Sequence, residues 1–315
     1  MAAPLIELTA PDIRAHRRSA TGTDYVHVID SGRSGPNVMV NALTHGNEIC
    51  GAIAVDRLLR EDVKPVRGKL TLAFANIDAF ERFDTRNPYS TRFVDEDLNR
   101  VWSADILEGP RDSIELRRAR VLRPIVDTVD ILLDVHSMQR LSAPLNLAGP
   151  TAKGRALAAK MEVPATVVSD EGHAAGIRLR DYAAFADPVS PKCAALVECG
   201  QHWKRETAAV AIESVLRFLL CLDVIDRAFA APHLRPNPPP PQRFIEVTHA
   251  ITIKEEPFVF TTAFDGLEVI EKAGTVIAHD GQREVRTPYD RCVLVMPSQR
   301  LSRGLTAVRL GRFVT

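Results

Sequence analysis

The stretch NVMVNALTHGNEICGAIAVDRLLR, residues 37–60, combines a buried-type strand with an amphipathic helix. Apolar residues dominate 37–43, whereas over 48–60 they recur at the three- to four-residue spacing of one helix face. Four more apolar runs predict strands at 69–75, 131–135, 165–168 and 194–197. Two more amphipathic stretches predict helices at 114–127 and 206–222. Such near-continuous apolar strands are typical of sheets covered by helices on both faces. We therefore predict an α/β domain over residues 1–230.

A proline-rich segment separates this region from the rest of the chain. Residues 231–243, APHLRPNPPPPQR, favour extended polyproline II, because a run of prolines can form neither a helix nor a strand ladder. The residues that follow form short apolar runs between Gly, Pro and Asp turns, without a helical period. We predict a linker at 231–243 and a small all-β domain over 244–315.

The composition argues against several classes of partner. The 315 residues carry 40 Lys+Arg and 40 Asp+Glu, so no broad positive field is present to attract nucleic acid or an anionic membrane. No apolar run approaches the roughly 18 residues of a membrane span, and the first residues lack the apolar core of a secretory signal. We expect a cytoplasmic protein without nucleic-acid or membrane partners. Assembly into a homo-oligomer stays open.

A histidine and a glutamate lie where the first predicted strand meets its helix. His45 and Glu48 form an H-x-x-E pair, which is weak evidence alone because such pairs arise by chance in a chain with nine histidines. A second histidine, His136, follows the apolar run 131–135. The carboxyl ends of neighbouring parallel strands share one rim, so these three side chains can meet there. Two His and one Glu with an open fourth position are the ligands of a hydrolytic zinc site, although either His alone is more often structural.

A carboxylate follows another apolar strand. Glu198 comes directly after the run 194–197, where an unpaired charge is costly to bury. A partly desolvated carboxylate has a pKa suited to a general base, so we predict that Glu198 moves protons in hydrolysis. The alternative is a strand-terminal glutamate in solvent.

Charged residues cluster in the segment RFVDEDLNR, residues 92–100. The guanidinium of Arg100 and the amide of Asn99 form a plausible clamp for a carboxylate. Arg92 is placed to stabilise an oxyanion near the metal. A solvated, charge-balanced loop is the alternative for this segment.

Together, and in this order along the chain, H-x-x-E at His45 and Glu48, R-x6-N-R from Arg92 to Arg100, His136 and Glu198 closely resemble the succinylglutamate desuccinylase/aspartoacylase family. This family is a branch of the zinc carboxypeptidase-like metallohydrolases, and the resemblance covers nearly the whole chain. It implies a mixed, mainly parallel sheet flanked by helices, followed by a smaller C-terminal β domain.

The resemblance also implies an activity. It assigns His45, Glu48 and His136 as ligands of one Zn²⁺ per chain, and Glu198 as general base and acid. The same ligand set accepts Co²⁺ or Mn²⁺ as well. The implied reaction is hydrolysis of an N-acyl amino acid, of acetyl or succinyl type, to a carboxylate and a free amine by a metal-activated water.

The implied substrate contacts are Arg92 on the scissile carbonyl and Asn99 with Arg100 on a substrate carboxylate. Aspartoacylases bind a second carboxylate through an arginine ten residues before the catalytic glutamate, a position that is proline in this chain. The nearest arginines, Arg178 and Arg180, are the candidates for that role. Tyr289 of the C-terminal region is a candidate substrate-binding hydroxyl.

Two other functions share these residues. A zinc metallocarboxypeptidase would use the same ligand set but needs an open cleft for a peptide. A metal-dependent binding module without catalysis would be favoured if the base were missing, whereas Glu198 and Arg92 are both present. One further histidine, His173, lies in a predicted loop and is a candidate for the pocket lining.

Overall fold

The computed structural model describes residues 5–172 and 175–314. Its strands, in chain order, are β1 (Val26–Asp30), β2 (Asn37–Ala42), β3 (Lys69–Phe74), β4 (Ile131–Met138), β5 (Leu145–Leu147), β6 (Thr166–Ser169), β7 (Cys193–Gln201), β8 (Arg243–Thr252), β9 (Phe258–Phe260), β10 (Val269–Ile270), β11 (Val276–Asp280), β12 (Arg283–Arg286), β13 (Cys292–Val295) and β14 (Thr306–Val314). Its α-helices are α1 (Ile49–Arg60), α2 (Ile77–Phe80), α3 (Ala104–Glu108), α4 (Ile114–Val126), α5 (Ala152–Met161), α6 (Arg205–Cys221) and α7 (Arg227–Ala230). Within these two ranges, no helix is both long and apolar enough to cross a membrane.

Eleven of the strands form one mixed sheet in the order β1-β3-β2-β4-β7-β5-β6-β8-β14-β13-β10. The neighbours β3, β2, β4 and β7 are parallel to one another, and β1 joins them as an antiparallel edge. This arrangement confirms the predicted mixed sheet with flanking helices. It also places the ends of β2, β4 and β7 side by side on one rim.

Helices cover both faces of this sheet because alternate strand residues point to opposite sides. In β2, Val40 packs into a core with Val55 of α1 and Phe218 of α6. The adjacent Met39 packs into a second core with Leu116 of α4. Both cores bury their side chains almost completely, which explains why the central strands are apolar along their whole length.

The observed strands differ from the sequence prediction in length and number. Strands β4 and β7 continue past the predicted ends at Val135 and Val197, so His136 and Glu198 lie within the ladder rather than after it. The short strands β1 and β5 and helix α5 had no clear pattern in the sequence. Strand β5 is only three residues long, and α5 carries glycine and three charged residues in ten.

The C-terminal strands continue the main sheet. Strand β8 pairs in parallel with β6, and β14, β13 and β10 follow it in antiparallel order. The strands β9, β11 and β12 form a separate three-stranded sheet. A separate hydrophobic core joins this small sheet to β13 and β14. The division into domains at 231–243 stays a prediction, and the hydrogen-bonded sheet runs across it.

Candidate active site

His45 and Glu48 lie where β2 is followed by α1. His45 comes shortly after the strand, and Glu48 is the N-cap residue of the helix. Gly46, between them, packs directly against α2: a Cβ at this position would lie only 2.4 Å from the carbonyl carbon of Ala79. This close approach requires glycine. It lets the segment that carries His45 and Glu48 lie directly against α2.

His45, Glu48 and His136 form a buried cluster. Nδ1 of His45 lies 2.7 Å from one oxygen of Glu48, and Nδ1 of His136 lies 2.9 Å from the other. All three residues are at most 2% exposed. Their ligand atoms lie within 4.8 Å of one another, a spacing that one metal ion can bridge. Burial alone would raise the pKa of Glu48, but the two imidazoles hold it well below its usual range.

Each histidine of this cluster is held from behind by a carboxylate. Nε2 of His45 lies 2.9 Å from Asp97, and Nε2 of His136 lies 2.8 Å from Asp134. Such carboxylate partners fix the ring orientation and leave the opposite nitrogen, here Nδ1, facing the ligand position. Asp134 also accepts hydrogen bonds from Asn41 and Thr44, at 2.7 and 2.9 Å. The cluster is therefore pre-organised on both sides.

Glu198 lies beside His136 in the sheet, since the two residues are register partners in the pairing of β4 with β7. The next residues of β7 form a bulge at Gly200, whose φ of +115° is a conformation that favours glycine. Glu198 is 7% exposed, and its Oε2 has no hydrogen-bond partner within the described residues. Burial raises the pKa of Glu198 to about 8; the His136 imidazole opposes this shift, and the Glu48 carboxylate adds to it.

Arg92 connects the cluster to the loop before α3. Its guanidinium donates to Glu48 at 3.3 Å and to Asp97 at 3.1 Å. The loop itself is fixed by Glu115 of α4, which is fully buried and accepts hydrogen bonds from the backbone N–H groups of residues 94, 95 and 96. Arg92 and Asp97 are thus held at the cluster by a buried carboxylate that is remote in sequence.

Asn99 and Arg100 lie together in the cavity wall, in a single 3₁₀ turn. The Asn99 side chain accepts a hydrogen bond from the backbone N–H of Leu179 at 2.9 Å, which leaves its amide nitrogen for other partners. Arg100 donates to the backbone carbonyl of Asn99 at 2.6 Å. Burial lowers the pKa of Arg100 to about 10; Asp97 opposes this shift, and Arg92 and Arg178 add to it. Arg100 is still a cation at neutral pH.

A cavity of about 420 Å³ opens in front of the cluster. Its wall combines the ends of the central strands with residues 296–300, 305, 306 and 309 of the C-terminal region. Among the described residues, six arginines and three carboxylates line it: Arg92, Arg100, Arg140, Arg178, Arg300 and Arg309, with Glu48, Asp97 and Glu198. The cavity therefore carries an excess of positive charge.

Three of the predicted substrate residues lie differently from expectation. Arg178 lines the cavity, but its Nε, Nη1 and Nη2 all donate to Asp170 or Asp181. Arg180 is outside the lining, and its guanidinium donates to Asp181 and to backbone carbonyls; its substrate role stays a prediction that no contact with the cavity supports.

Tyr289 also lies outside the lining, because its hydroxyl is hydrogen-bonded to Thr248 at 2.6 Å in the C-terminal core. The substrate contact of Tyr289 therefore also stays a prediction without support from its position. His173 lies outside the described residues.

Three important residues of this site were missed in the sequence. The sequence places Asp97 in a charged loop without indicating its contact with His45, and it gives Asp134 no predicted role. Strand alternation gives a signal for Asp134, because a residue two positions before His136 points to the same face. Arg309 has no comparable signal, since its place depends on the pairing of the last strand with β8 and β13.

Comparison with known proteins gives consistent results. A model of the succinylglutamate desuccinylase/aspartoacylase catalytic domain matches residues 34–219. A curated protein named probable aspartoacylase, from Parasynechococcus marenigrum (strain WH8102), is 39% identical over 88 residues. That match covers 27% of this chain and 27% of the relative, so the chain aligns with only about a quarter of that protein's length.

Solved structures show the same fold at low identity. A succinylglutamate desuccinylase from Vibrio parahaemolyticus superposes with a TM-score of 0.68 and 17% identity, over 93% of this chain and 87% of the other. A succinylglutamate desuccinylase/aspartoacylase from Rhodobacter sphaeroides gives 0.65 and 19%, over 97% and 94%. The family model covers more than half of the sequence, and the chain belongs to the succinylglutamate desuccinylase/aspartoacylase family.

Proposed function

We propose that the protein is a zinc-dependent amidohydrolase that cleaves a small N-acyl amino acid, of acetyl or succinyl type, into a carboxylate and a free amine. The observation that carries this proposal is the register pair of His136 and Glu198. It sets a buried carboxylate directly beside a cluster of two histidines and one glutamate, and one oxygen of that carboxylate has no hydrogen-bond partner among the described residues. Family membership supports the same reaction class.

The donor set fits a zinc ion. Two imidazole nitrogens and one carboxylate are the protein ligands of hydrolytic zinc sites, with the fourth position left for water or substrate. In this chain His45, Glu48 and His136 would hold the ion, and Asp97 and Asp134 orient the two histidines. When bound, Zn²⁺ supplies a Lewis acid that polarises the carbonyl and makes water nucleophilic near neutral pH.

Glu198 is the group that moves protons. Its Oε2, which has no partner in the described part of the chain, accepts a proton from the attacking water, and the same carboxyl returns it to the nitrogen of the leaving amine. A carboxyl with a pKa near neutrality can do both, because neither of its states is strongly disfavoured. Burial is the main physical cause of that pKa, and the Glu48 carboxylate adds to it.

Arg92 stabilises the negative charge that develops on the carbonyl oxygen. Its guanidinium is fixed by Glu48 and Asp97 before any substrate arrives, so no reorganisation is needed during the reaction. Arg100 and the amide of Asn99 bind a carboxylate of the substrate, as the sequence predicted. Both side chains lie in the wall of the same cavity as Glu198.

The size of the cavity favours a small substrate over a peptide. Residues 296–300 of the C-terminal region form part of the wall, and the volume of about 420 Å³ matches a pocket for a small molecule. A metallocarboxypeptidase is therefore the weaker candidate. A binding module without catalysis is also disfavoured, because Glu198 and Arg92 both lie at the cluster. The cytoplasmic location stays a prediction.

The test combines elemental analysis of the purified protein with a screen for amine release. The screen uses N-acetyl and N-succinyl amino acids, with and without a chelator. We expect about one zinc per chain and release of free amine that the chelator abolishes. A Glu198→Gln variant, which keeps the metal ligands, tests the proposed proton transfer in the same screen.

Metal-loaded protein that releases no amine from any member of the panel would contradict the proposed substrate class. Equal release by the wild type and the Glu198→Gln variant would contradict the proposed mechanism. Protein that binds no divalent ion after incubation with zinc would contradict the metal site itself.

A further inference from the structure

The proline-rich segment before β8 lies on the surface as an extended tract. Residues 238–242 belong to no helix, strand or turn, and residues 236–237 form a bend just before them. Proline fixes φ at about −65°, and a residue that precedes proline is kept out of the α-helical region. Residues 237–240 each precede a proline, so the backbone that follows the bend is restricted to polyproline II. We call residues 238–241 the proline tract.

Burial along the tract follows the threefold period of polyproline II. This helix has three residues per turn, so residues three apart share one edge. Pro239 and Gln242 are half-buried and share the edge that faces the protein, whereas the other three prolines of the tract are exposed. The Gln242 side chain fixes this edge, because it donates to the backbone carbonyls of Ala158 and Pro164 at 3.0 and 3.1 Å. The other two edges of the tract therefore face outwards.

The backbone of the tract has acceptors that the protein itself does not use. Proline has no N–H group to donate. In the part of the chain that the structure describes, the carbonyl oxygens of residues 238–241 accept no hydrogen bond. Water satisfies them at the surface, and a donor of another molecule can replace that water.

Both ends of the tract are fixed to the rest of the protein. Before it, Nε of Arg235 lies 3.0 Å from the buried Glu213 of α6. After it, Arg243 begins β8, and its backbone N–H donates to the carbonyl of Ala165 at 2.8 Å. A segment that is already held in its bound conformation loses little conformational entropy on binding. The tract is therefore a preformed ligand.

Positive charge surrounds the tract, which forms one wall of a concavity of about 730 Å³. Within the described ranges, the arginines that line this concavity are Arg217, Arg227 and Arg235. Only two carboxylates, Glu162 and Glu213, pair with them, which leaves an excess of one positive charge. The lining shares no residue with that of the proposed active site. An acidic group beside an apolar groove would complement this surface.

We propose that the proline tract is a docking segment for a partner domain that has a groove of aromatic side chains with an acidic rim. Aromatic rings pack on proline rings, and indole or phenol groups donate to the carbonyls of the tract. Such a groove contacts two edges of a polyproline II helix and leaves the third outside. In this chain the third edge is the one that packs on the protein. Pro238 and Pro241 share one exposed edge, and Pro240 lies on the other. Docking does not depend on the proposed hydrolysis.

The experiment measures binding of the whole chain to three domains that recognise polyproline II, of SH3, WW and EVH1 type, by isothermal titration calorimetry. A synthetic peptide with the sequence of residues 234–244 is titrated in parallel. We expect at least one domain to bind both ligands with a Kd below about 1 mM. The whole chain should bind no more weakly than the peptide, because its tract is already ordered.

Substitutions within the tract test which edges are used. Pro238→Ala and Pro241→Ala each remove a ring from an exposed edge, and each should weaken binding of the whole chain about fivefold or more. Pro239→Ala is the matched control, since it makes the same change on the edge that faces the protein, and Kd should change less than about twofold. Arg227→Met should weaken binding at low salt and have little effect at high salt, because exposed charges are screened.

Four outcomes decide the proposal. If neither the peptide nor the whole chain binds any of the three domains, the tract is only a spacer and the proposal fails. If the peptide binds and the whole chain does not, the tract is inaccessible in the fold, which also overturns docking. Equal weakening by Pro238→Ala and Pro239→Ala would show that no particular edge is recognised. Thermal unfolding identifies a misfolded variant, and should a proline variant fail to fold, the comparison of the wild type with the peptide decides.

Discussion

The carboxylate of Asp134 lies 2.8 Å from Nε2 of His136, on the side of the ring that faces away from Glu48. Both residues belong to β4 and point to the same face of the sheet, because they are two positions apart. Asp134 is completely buried, and its other oxygen accepts hydrogen bonds from Asn41 and Thr44. The orientation of one proposed metal ligand is therefore fixed by a network within β2 and β4 and the turn after β2.

Asp134→Asn should weaken metal binding. If the oxygen of the new amide faces His136, its NH2 group faces Asn41 and Thr44, which are both donors. If the amide is turned round, its NH2 group faces Nε2 of His136 instead. In either orientation one hydrogen bond of the network is lost. We expect zinc affinity to fall about 10- to 100-fold, the usual effect of losing such a partner. Competition with a chromophoric chelator measures this affinity independently of turnover.

Asp62→Asn is the control for that measurement, because Asp62 is exposed and pairs only with Lys64 among the described residues. An Asp134→Asn protein that folds normally and binds zinc within twofold of the wild type would show that Asp134 does not orient the ligand.

Glu198→Gln should abolish turnover while leaving the metal site intact. Glutamine has the shape of glutamate but cannot accept the proton of the attacking water, so we expect kcat to fall about 10²- to 10⁴-fold. The three proposed metal ligands are unchanged, and zinc content should stay at the wild-type level. Amine release and elemental analysis of the same preparation measure both quantities.

The matched control for this variant is Glu206→Gln, an exposed glutamate in the first turn of α6. Near-native hydrolysis by Glu198→Gln would assign the proton transfer to another group. Loss of zinc together with activity would indicate that Glu198 supports the metal site rather than the proton transfer.

The residues at the strand ends could be predicted because each follows an apolar run that has to be buried. His45, His136 and Glu198 meet for that reason: their strands are neighbours, and the carboxyl ends of parallel neighbours share one edge. Asp134 could also have been predicted, because side chains two positions apart on a strand point to the same face as each other. The sequence did not reveal that β4 and β7 continue far enough to make His136 and Glu198 direct partners.

The C-terminal contribution to the cavity could not be predicted in the same way. Arg309 faces the cavity only because β14 pairs with β8 and β13 in one particular register, and a shift by one residue would turn its side chain to the other face. Tyr289 was a candidate substrate-binding hydroxyl, but the hydrogen bond to Thr248 holds it in the C-terminal core. Register between strands that are distant in sequence leaves no local signal.

Arg100→Met should raise KM more than it lowers kcat. The guanidinium is a fixed cation in the cavity wall, and a carboxylate that it binds is present in both the ground state and the transition state. We expect KM to rise about tenfold or more on the best substrate of the panel, as for loss of a charge-assisted hydrogen bond. Steady-state kinetics separates the two parameters, and Arg100→Lys should lie between the wild type and Arg100→Met. A fall in kcat at constant KM would instead place Arg100 on the developing oxyanion.

His202 should make the metal-free protein less stable in mild acid. The residue is fully buried beside the proposed metal ligands, with Nδ1 2.8 Å from the hydroxyl of Ser137, and burial lowers the pKa of His202 to about 3. The unfolded chain binds a proton at this residue below about pH 6.5, whereas the folded protein does not, so stability falls as the pH drops through that range. Between pH 7 and pH 5 the free energy of unfolding should decrease by about 2 kcal/mol from this residue.

The measurement is denaturant unfolding of chelator-treated wild type and His202→Gln at both pH values. All other titrating groups are common to the two proteins, so the difference between their pH dependences isolates His202. We expect the variant to be less stable at pH 7, because it loses the packing of the imidazole against Trp203, and to lose less stability on acidification. Equal pH dependence in the two proteins would mean that His202 binds a proton in the folded state, and that the interior beside the metal ligands is more hydrated than the structure indicates.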